Sequence, residues 1–208
     1  MDFARPLLVI TPTLDGDVLA VLARAEEEFS GRQLHRLLGY ASEPGVRKAV
    51  ERLVDQGVVD RRQAGRAKLY RLNRQHLAAA HIEGLANLHL QLIARLRETI
   101  GAWRQRPHSA FLFGSVARGD AVSASDLDLL VIRGATVEEG ADAWEAQLAA
   151  LEREATEATG NDARILEYGE QELAAPEIKS VVEEALSDGI ELFGSRQRLR
   201  RLLQERSG

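Results

Sequence analysis

The sequence contains no cysteine among its 208 residues and no long apolar run. Without cysteine there is no disulfide framework and no thiolate metal site, which is typical of a protein of the reducing cytoplasm. None of the apolar runs approaches the roughly 20 residues that a helix needs to cross a bilayer. The amino terminus also lacks the pattern of a signal peptide. We therefore expect a cytoplasmic protein with no membrane partner.

Charge is distributed unevenly along the chain. The net charge is -5, but residues 31–74 carry 11 cations and 4 anions, a net +7 that leaves -12 on the rest. The length allows one large domain or two small ones. A basic segment joined to an acidic body predicts a module that binds a polyanion, fused to a second domain. The alternative is a charged surface that is merely solvated.

The first 56 residues predict a short strand and three helices. Residues 6–10 are apolar enough for a strand. Thr13 is a candidate cap for a first helix, and the capping-box pattern from Ser30 to Gln33 begins a second. Ser42 and a following proline begin a third helix that we expect to end near residue 56.

A basic hairpin follows, with predicted strands at 58–60 and 69–72 and a loop at 61–68. This order of elements resembles the winged helix-turn-helix family over residues 13–73. The resemblance implies that the third helix enters the major groove of duplex DNA while the hairpin contacts phosphates or the minor groove. A winged helix used only for protein contacts is the alternative. The implied DNA-binding residues are Arg47, Lys48 and Arg52 in the helix, with Arg61, Arg62, Arg66 and Lys68 in the hairpin.

Residues 73–105 contain no proline and place leucines at helical spacing. They predict one long amphipathic helix that ends before Pro107. Such a helix suits either a homodimer contact or packing within the chain. The predicted divisions are a winged-helix domain at 1–74, a connecting helix at 75–107, a second domain at 108–195 and a basic carboxy-terminal helix at 196–208.

The second domain opens with a strand at 110–113 that stops at Gly114 and Ser115. A further strand at 126–132 alternates carboxylates with leucines, which puts Asp126 and Asp128 on one face, roughly 7 Å apart at the backbone. Two such carboxylates suit a hard cation such as Mg²⁺. A glycine allows close backbone approach, and a serine hydroxyl with nearby amides can bind phosphate. This stretch predicts a nucleoside triphosphate held through Mg²⁺.

The stretch from Gly114 to Asp128 reads Gly-Ser-x-Ala-Arg-Gly-Asp followed by Ser-Asp-x-Asp, and it resembles the minimal nucleotidyltransferases of the polymerase-beta superfamily. The resemblance covers about residues 108–194. It implies transfer of a nucleoside monophosphate from a triphosphate to an acceptor, with release of pyrophosphate. The implied catalytic and metal-binding residues are Asp126 and Asp128, with one or two Mg²⁺ or Mn²⁺ ions. The implied nucleotide-binding residues are Gly114, Ser115, Arg118 and Ser125, while Arg118 and Asp120 shape the loop.

The remaining predicted elements are a helix at 138–159, a strand at 163–168, a helix at 177–187 and a closing strand at 189–194. Together they give a mixed α/β (α+β) fold. The family usually places a third carboxylate in the middle of the third strand, where this chain has Arg164. Asp162 lies one pleat earlier and would serve only after a register shift, and Glu167 faces the other side.

Two functions are consistent with these patterns. The first is a DNA-binding transcriptional regulator whose nucleotidyltransferase domain binds a metal-bound nucleotide, with catalysis weakened by the missing carboxylate. The alternative is an active, antitoxin-like nucleotidyltransferase that modifies a protein, an RNA or a small molecule.

Overall fold

A computed structural model describes residues 1–119, 121–122 and 124–206. The chain forms two compact units. The N-terminal unit comprises residues 2 and 4–88, and the C-terminal unit comprises residues 1, 3 and 89–208. None of the helices in the described residues combines the length and apolarity that a membrane span requires. The mixed α/β class predicted from the sequence is confirmed.

The N-terminal unit combines four α-helices with one three-stranded antiparallel sheet of order β1-β3-β2. Its elements are α1 (Leu14–Ala23), β1 (Phe29–Ser30), α2 (Gly31–Leu37), α3 (Glu43–Asp55), β2 (Val59–Ala64), β3 (Ala67–Leu72) and α4 (Ala79–Ala86). The predicted capping box is present, since the Ser30 hydroxyl and the Gln33 side chain each accept the other residue's backbone N–H. Ser42 also caps α3, because its hydroxyl accepts a hydrogen bond from the Gly45 amide.

Two local predictions in this unit are corrected. Residues 6–10 are not a strand, because Pro6–Val9 form a 3-10 helix with Pro6 in its first turn, where the fixed φ and missing N–H of proline are tolerated. The hairpin is present, but β2 and β3 extend through most of the predicted loop. They pair as far as Ala64 and Ala67, and Gly65 has the positive φ of 61° that this tight turn requires.

The single helix predicted over 73–105 is in fact two helices. The first, α4, ends at Asn87, whose side chain donates to the Glu83 carbonyl at 2.8 Å, and α5 (Leu88–Gly101) begins directly afterwards. An asparagine side chain that bonds to the backbone competes with helical continuation. The predicted connecting helix is therefore divided, and α5 ends at Gly101, well before Pro107.

The C-terminal unit has a four-stranded sheet of order β6-β5-β4-β7, in which β5 and β6 are parallel and the other pairs are antiparallel. Its remaining elements are β4 (Ser109–Phe113), α6 (Gly114–Arg118), β5 (Leu127–Arg133), α7 (Asp142–Thr159), β6 (Ala163–Gly169), α8 (Pro176–Asp188), β7 (Ile190–Phe193) and α9 (Arg196–Arg206). The predicted elements are present with shifted ends, and α7 begins four residues later than expected.

Both faces of this sheet are covered, because its strands alternate between two apolar clusters. Leu112 and Leu129 pack in the cluster that contains Trp144 of α7. Phe111 and Leu130 point to the other face, where they share a cluster with residues of α8 and α9. Because Asp128 alternates with Leu127 and Leu129 along β5, its carboxylate lies on the α8 face. The fold thus leaves two acidic side chains at the end of an otherwise apolar surface.

Candidate functional site

The junction of β4 and α6 brings backbone directly against a carboxylate. Phe113 pairs with Asp128 across β4 and β5, and Gly114 follows Phe113. Gly114 has a φ of 72°, and a Cβ added there would lie 2.7 Å from Asp128 Oδ2. Both the backbone conformation and the space therefore require glycine. This contact places Asp128 beside the residue expected to approach a bound phosphate.

Asp126 and Asp128 lie at the start of β5, as predicted, although the strand begins at Leu127. Both side chains are half-buried. Burial raises the pKa of Asp128 above its ordinary value, and the nearby Asp126 charge raises it further, while Arg164 acts in the opposite direction. The folded protein therefore disfavours the charged form of Asp128 more than the unfolded chain does, and a bound cation would favour that charged form.

Arg164 faces this carboxylate pair. In the parallel register Asp128 lies opposite Arg164, and Arg164 Nη1 is 2.8 Å from Asp126 Oδ2. The register runs without irregularity from Leu127 and Ala163 to the far end of both strands. The register shift that would have brought Asp162 into the site is therefore absent.

Asp162, just before the third strand, and Glu167 within it have other partners than this carboxylate pair. Asp162 Oδ2 is 3.8 Å from Arg164 Nε, and its side chain is 70% exposed. Glu167 faces the opposite side of the sheet, as predicted, where it accepts hydrogen bonds from Arg133 and Trp144. Neither residue adds a third carboxylate to Asp126 and Asp128.

The donor set fits one hard divalent cation. Within the described residues, no group of three or more His, Cys, Asp or Glu side chains could hold a metal ion by itself. Mg²⁺ is commonly bound by one or two carboxylates together with substrate phosphates, and it requires no complete protein cage. Asp126 and Asp128 supply those carboxylates, and the absent side chain of Gly114 allows its backbone to lie beside Asp128 at the same edge.

The other predicted nucleotide-binding residues surround this pair. Ser115 is half-buried in the first turn of α6. Arg118 Nη1 lies 3.4 Å from Glu184 Oε1. The Ser125 hydroxyl accepts a hydrogen bond from the Val122 amide and so stabilises the turn before Asp126. Asp120, the expected partner of Arg118, lies outside the described residues.

Asn161 is a positioning residue that the sequence reasoning missed. It is buried, and its side-chain amide donates to the Ser125 carbonyl at 2.8 Å. The Leu127 amide in turn donates to the Asp162 carbonyl, so the loops before β5 and β6 are joined on both sides of Asp126. The sequence signal was only an asparagine after Gly160, which ends α7 with a φ of 69°.

A family model described as a nucleotidyltransferase domain matches residues 93–202, more than half of the chain. The chain belongs to this family. The match contains every element of the sheet and both aspartates, and it confirms the nucleotidyltransferase resemblance seen in the sequence.

Two solved structures resemble part of this chain. One is a mutant of the toxin-antitoxin MntA-HpeT, which is 14% identical in sequence and has a TM-score of 0.41. The match covers 55% of this chain and 82% of that chain. The other is a toxin-antitoxin with AMP-PNP, with 18% identity, coverage of 56% and 82%, and a TM-score of 0.37. These scores are low, and no property of either structure is carried over. No curated protein sequence matches the chain.

The cations predicted to bind DNA lie in the N-terminal unit, and the structure divides them into two groups. Four of them form ion pairs within the unit. The pairs are Arg52 with Asp15, Arg61 and Lys68 with Glu51, and Arg62 with Glu28. In the described part of the chain, no ion pair involves the exposed Arg47, Lys48 or Arg66.

A groove of about 460 Å³ lies between α3 and the hairpin. Arg47 of α3 and Arg66 of the hairpin tip both line it, together with Arg32 and Lys68. The helix and the hairpin therefore bring cations from distant parts of the sequence to one groove.

Proposed function

We propose that the C-terminal unit transfers a nucleoside monophosphate from a metal-bound nucleoside triphosphate to an acceptor. The observation that carries this proposal is the contact between the Asp128 carboxylate and the backbone of Gly114, with Asp126 on the same face. In this arrangement a cation held by the two carboxylates would lie beside the backbone expected to bind the phosphates. The family match supports the same reaction class.

The proposed reaction is a substitution at the α-phosphorus. A nucleophilic oxygen of the acceptor forms a bond to that phosphorus, and the bond to the oxygen bridging the α- and β-phosphates breaks. Pyrophosphate leaves with the electron pair, and the acceptor's proton passes to solvent. The Ser115 hydroxyl and the Gly114 amide would bind the β- and γ-phosphates, and Asp126 and Asp128 would hold the cation. When bound, Mg²⁺ or Mn²⁺ neutralises phosphate charge and orients the attacking and leaving oxygens.

The position of the radioactive label tests this reaction. The protein is incubated with Mg²⁺, cell extract and each of the four nucleoside triphosphates, labelled at either the α- or the γ-phosphate. We expect an acceptor to gain label from an α-labelled nucleotide and none from a γ-labelled one. Asp126→Asn and Asp128→Asn should each abolish labelling, whereas Arg95→Ala should not. Label from the γ-phosphate, or no label with any nucleotide, would contradict the proposal.

We also propose that the N-terminal unit is a winged helix-turn-helix module that binds duplex DNA, so that the protein acts as a transcriptional regulator. The supporting observation is the groove that Arg47 and Arg66 both line, together with Glu43, while neither arginine forms an ion pair among the described residues. The ion pairs of Arg52, Arg61, Arg62 and Lys68 are exposed, and surface ion pairs of this kind contribute little to stability. Phosphates could replace their carboxylates at little cost.

The salt dependence of DNA binding tests this second proposal. Fluorescence anisotropy with a labelled duplex is measured over a range of salt concentrations. Each lost phosphate contact should reduce the slope of log affinity against log salt by about 0.9, so Arg47→Ala and Arg66→Ala should each lower it. Arg71→Ala removes the same charge from an arginine paired with Asp60 and serves as the control. Absence of binding at low salt would reject the module's role.

A further inference from the structure

Arg164 places a positive charge directly beside the carboxylates of Asp126 and Asp128. Its Nη1 lies 2.8 Å from Asp126 Oδ2, and its backbone lies opposite Asp128. The Arg164 side chain is 60% exposed and that of Asp126 is 34% exposed. An exposed arginine in a surface ion pair can leave its partner without disturbing a core, and such a pair costs little to break. Arg164 can therefore release Asp126 and pair with another negatively charged group.

The charges at this edge limit how many divalent cations can bind. Asp126 and Asp128 carry two negative charges, and the guanidinium of Arg164 cancels one of them. Asp162 projects into solvent beside Arg164, and Glu184 pairs with Arg118. Two divalent cations about 3.5–4 Å apart would both need ligands besides the substrate phosphates, and this edge offers two carboxylates, one of them paired with an arginine. The carboxylates suffice for one cation, whereas a second cation would lie against the positive charge of Arg164.

We propose that the site binds one divalent cation with its nucleotide and that Arg164 supplies the second positive charge. On binding, the cation displaces Arg164 from Asp126, and the guanidinium then contacts the phosphate oxygens of the nucleotide. The planar fork of arginine suits phosphate, and its charge stabilises the charge that develops on the phosphates in transfer. This inference rests on the nucleotide site proposed above and assigns Arg164 a role within it.

Counting bound cations tests the inference directly. Each β,γ-imido nucleoside triphosphate is added to the full-length protein, and bound Mn²⁺ is counted by electron paramagnetic resonance. We expect one Mn²⁺ per chain in the wild type and two in Arg164→Asp, which replaces the cation by a third carboxylate. Two Mn²⁺ ions in the wild type, or one in Arg164→Asp, would overturn the inference. Failure of the wild type to bind any nucleotide would instead contradict the proposed function and, with it, this role of Arg164.

Binding affinities give a second test, because removing Arg164 should have opposite effects on metal and nucleotide. Arg164→Ala releases Asp126, so Mn²⁺ alone should bind up to about fivefold more tightly. The same variant loses the contact with phosphate, so the Mn²⁺-bound nucleotide should bind about tenfold more weakly. Arg164→Lys keeps the charge without the fork and should keep one Mn²⁺ with intermediate nucleotide affinity.

Arg95→Ala is a closely matched control. Arg95 Nε lies 2.7 Å from Glu154 Oε1, and these side chains are 56% and 34% exposed, nearly as in the pair of Arg164 and Asp126. This pair joins α5 to α7, away from the carboxylates, so its loss should change neither affinity. Equal changes in Arg95→Ala and Arg164→Ala, or changes of the same sign for metal and nucleotide in Arg164→Ala, would refute the exchange. Circular dichroism melts of all variants check that each is folded.

Discussion

Replacing Gly114 by alanine is the sharpest single perturbation of the site. The substitution has two separable effects. Alanine at a φ of 72° costs about 1–2 kcal/mol of folding free energy, because its Cβ crowds the following carbonyl. The new Cβ would also lie 2.7 Å from Asp128 Oδ2, closer than real Cβ contacts allow, so the carboxylate must move.

The control for the backbone effect is Gly140→Ala. Gly140 has a φ of 69°, and no described atom lies within 4 Å of its added Cβ. Through this backbone effect, both variants should therefore lose about 1–2 kcal/mol of unfolding free energy in chemical denaturation. Only Gly114→Ala should lose affinity for a Mn²⁺-bound nucleotide. We expect a loss of about 10- to 100-fold, the size found when residues that position a metal ligand are mutated. Calorimetric titration measures that affinity. Unchanged affinity in Gly114→Ala, or equal losses in both variants, would refute the placement of Asp128 beside the phosphate.

Three further predictions concern the carboxylates and their support. Because folding raises the pKa of Asp128, the free energy of unfolding should fall as pH rises from the unfolded to the folded pKa. Asp128→Asn removes this loss and should therefore raise the melting temperature of the metal-free protein at pH 7. An unchanged or lower melting temperature would contradict the raised pKa. Mn²⁺ affinity of the wild type should weaken as pH falls through the same window, in calorimetric titrations over pH. Asn161→Ala leaves the Ser125 carbonyl without the Asn161 donor, so the free energy of unfolding should fall by about 1–3 kcal/mol in denaturant unfolding. The variant should also lose Mn²⁺ affinity. Unaltered stability would contradict the positioning role of Asn161.

Local rules were sufficient to predict the carboxylate pair. The alternation of Asp126 and Asp128 with leucines depends only on neighbouring residues, and the sharp stop at Gly114 depends on one residue's conformational freedom. The capping box and the turn glycine of the N-terminal unit are equally local. Such features are readable from sequence because the residues that cause them are adjacent in the chain.

Features that depend on pairing between distant segments could not be derived in this way. The contact between Arg164 and Asp126 requires the register of β6 against β5, and α7 separates the two strands. The family resemblance placed Arg164 at the correct strand position, but the ion pair itself follows from three-dimensional register. Asn161 was missed for the same reason, since its acceptor Ser125 is 36 residues away.

Periodicity was misleading in the predicted connecting helix. Leucines recur at helical spacing on both sides of Asn87, although α4 and α5 belong mostly to different units. Leu77 would belong to that apolar stripe, yet it precedes α4 and is 95% exposed. The break between α4 and α5 lies at Asn87, whose side chain donates one hydrogen bond to the Glu83 carbonyl. The spacing of leucines does not reveal a break of this kind.

The central claim is that Asp126 and Asp128 hold a divalent cation that in turn holds a nucleotide. Calorimetric titration of the β,γ-imido nucleoside triphosphates, with Mg²⁺ and then with a chelator, tests it most directly. We predict binding only when Mg²⁺ is present, and loss of that binding in the Asp126→Asn, Asp128→Asn double variant. Equal binding in the chelator, or full binding by the double variant, would contradict the claim.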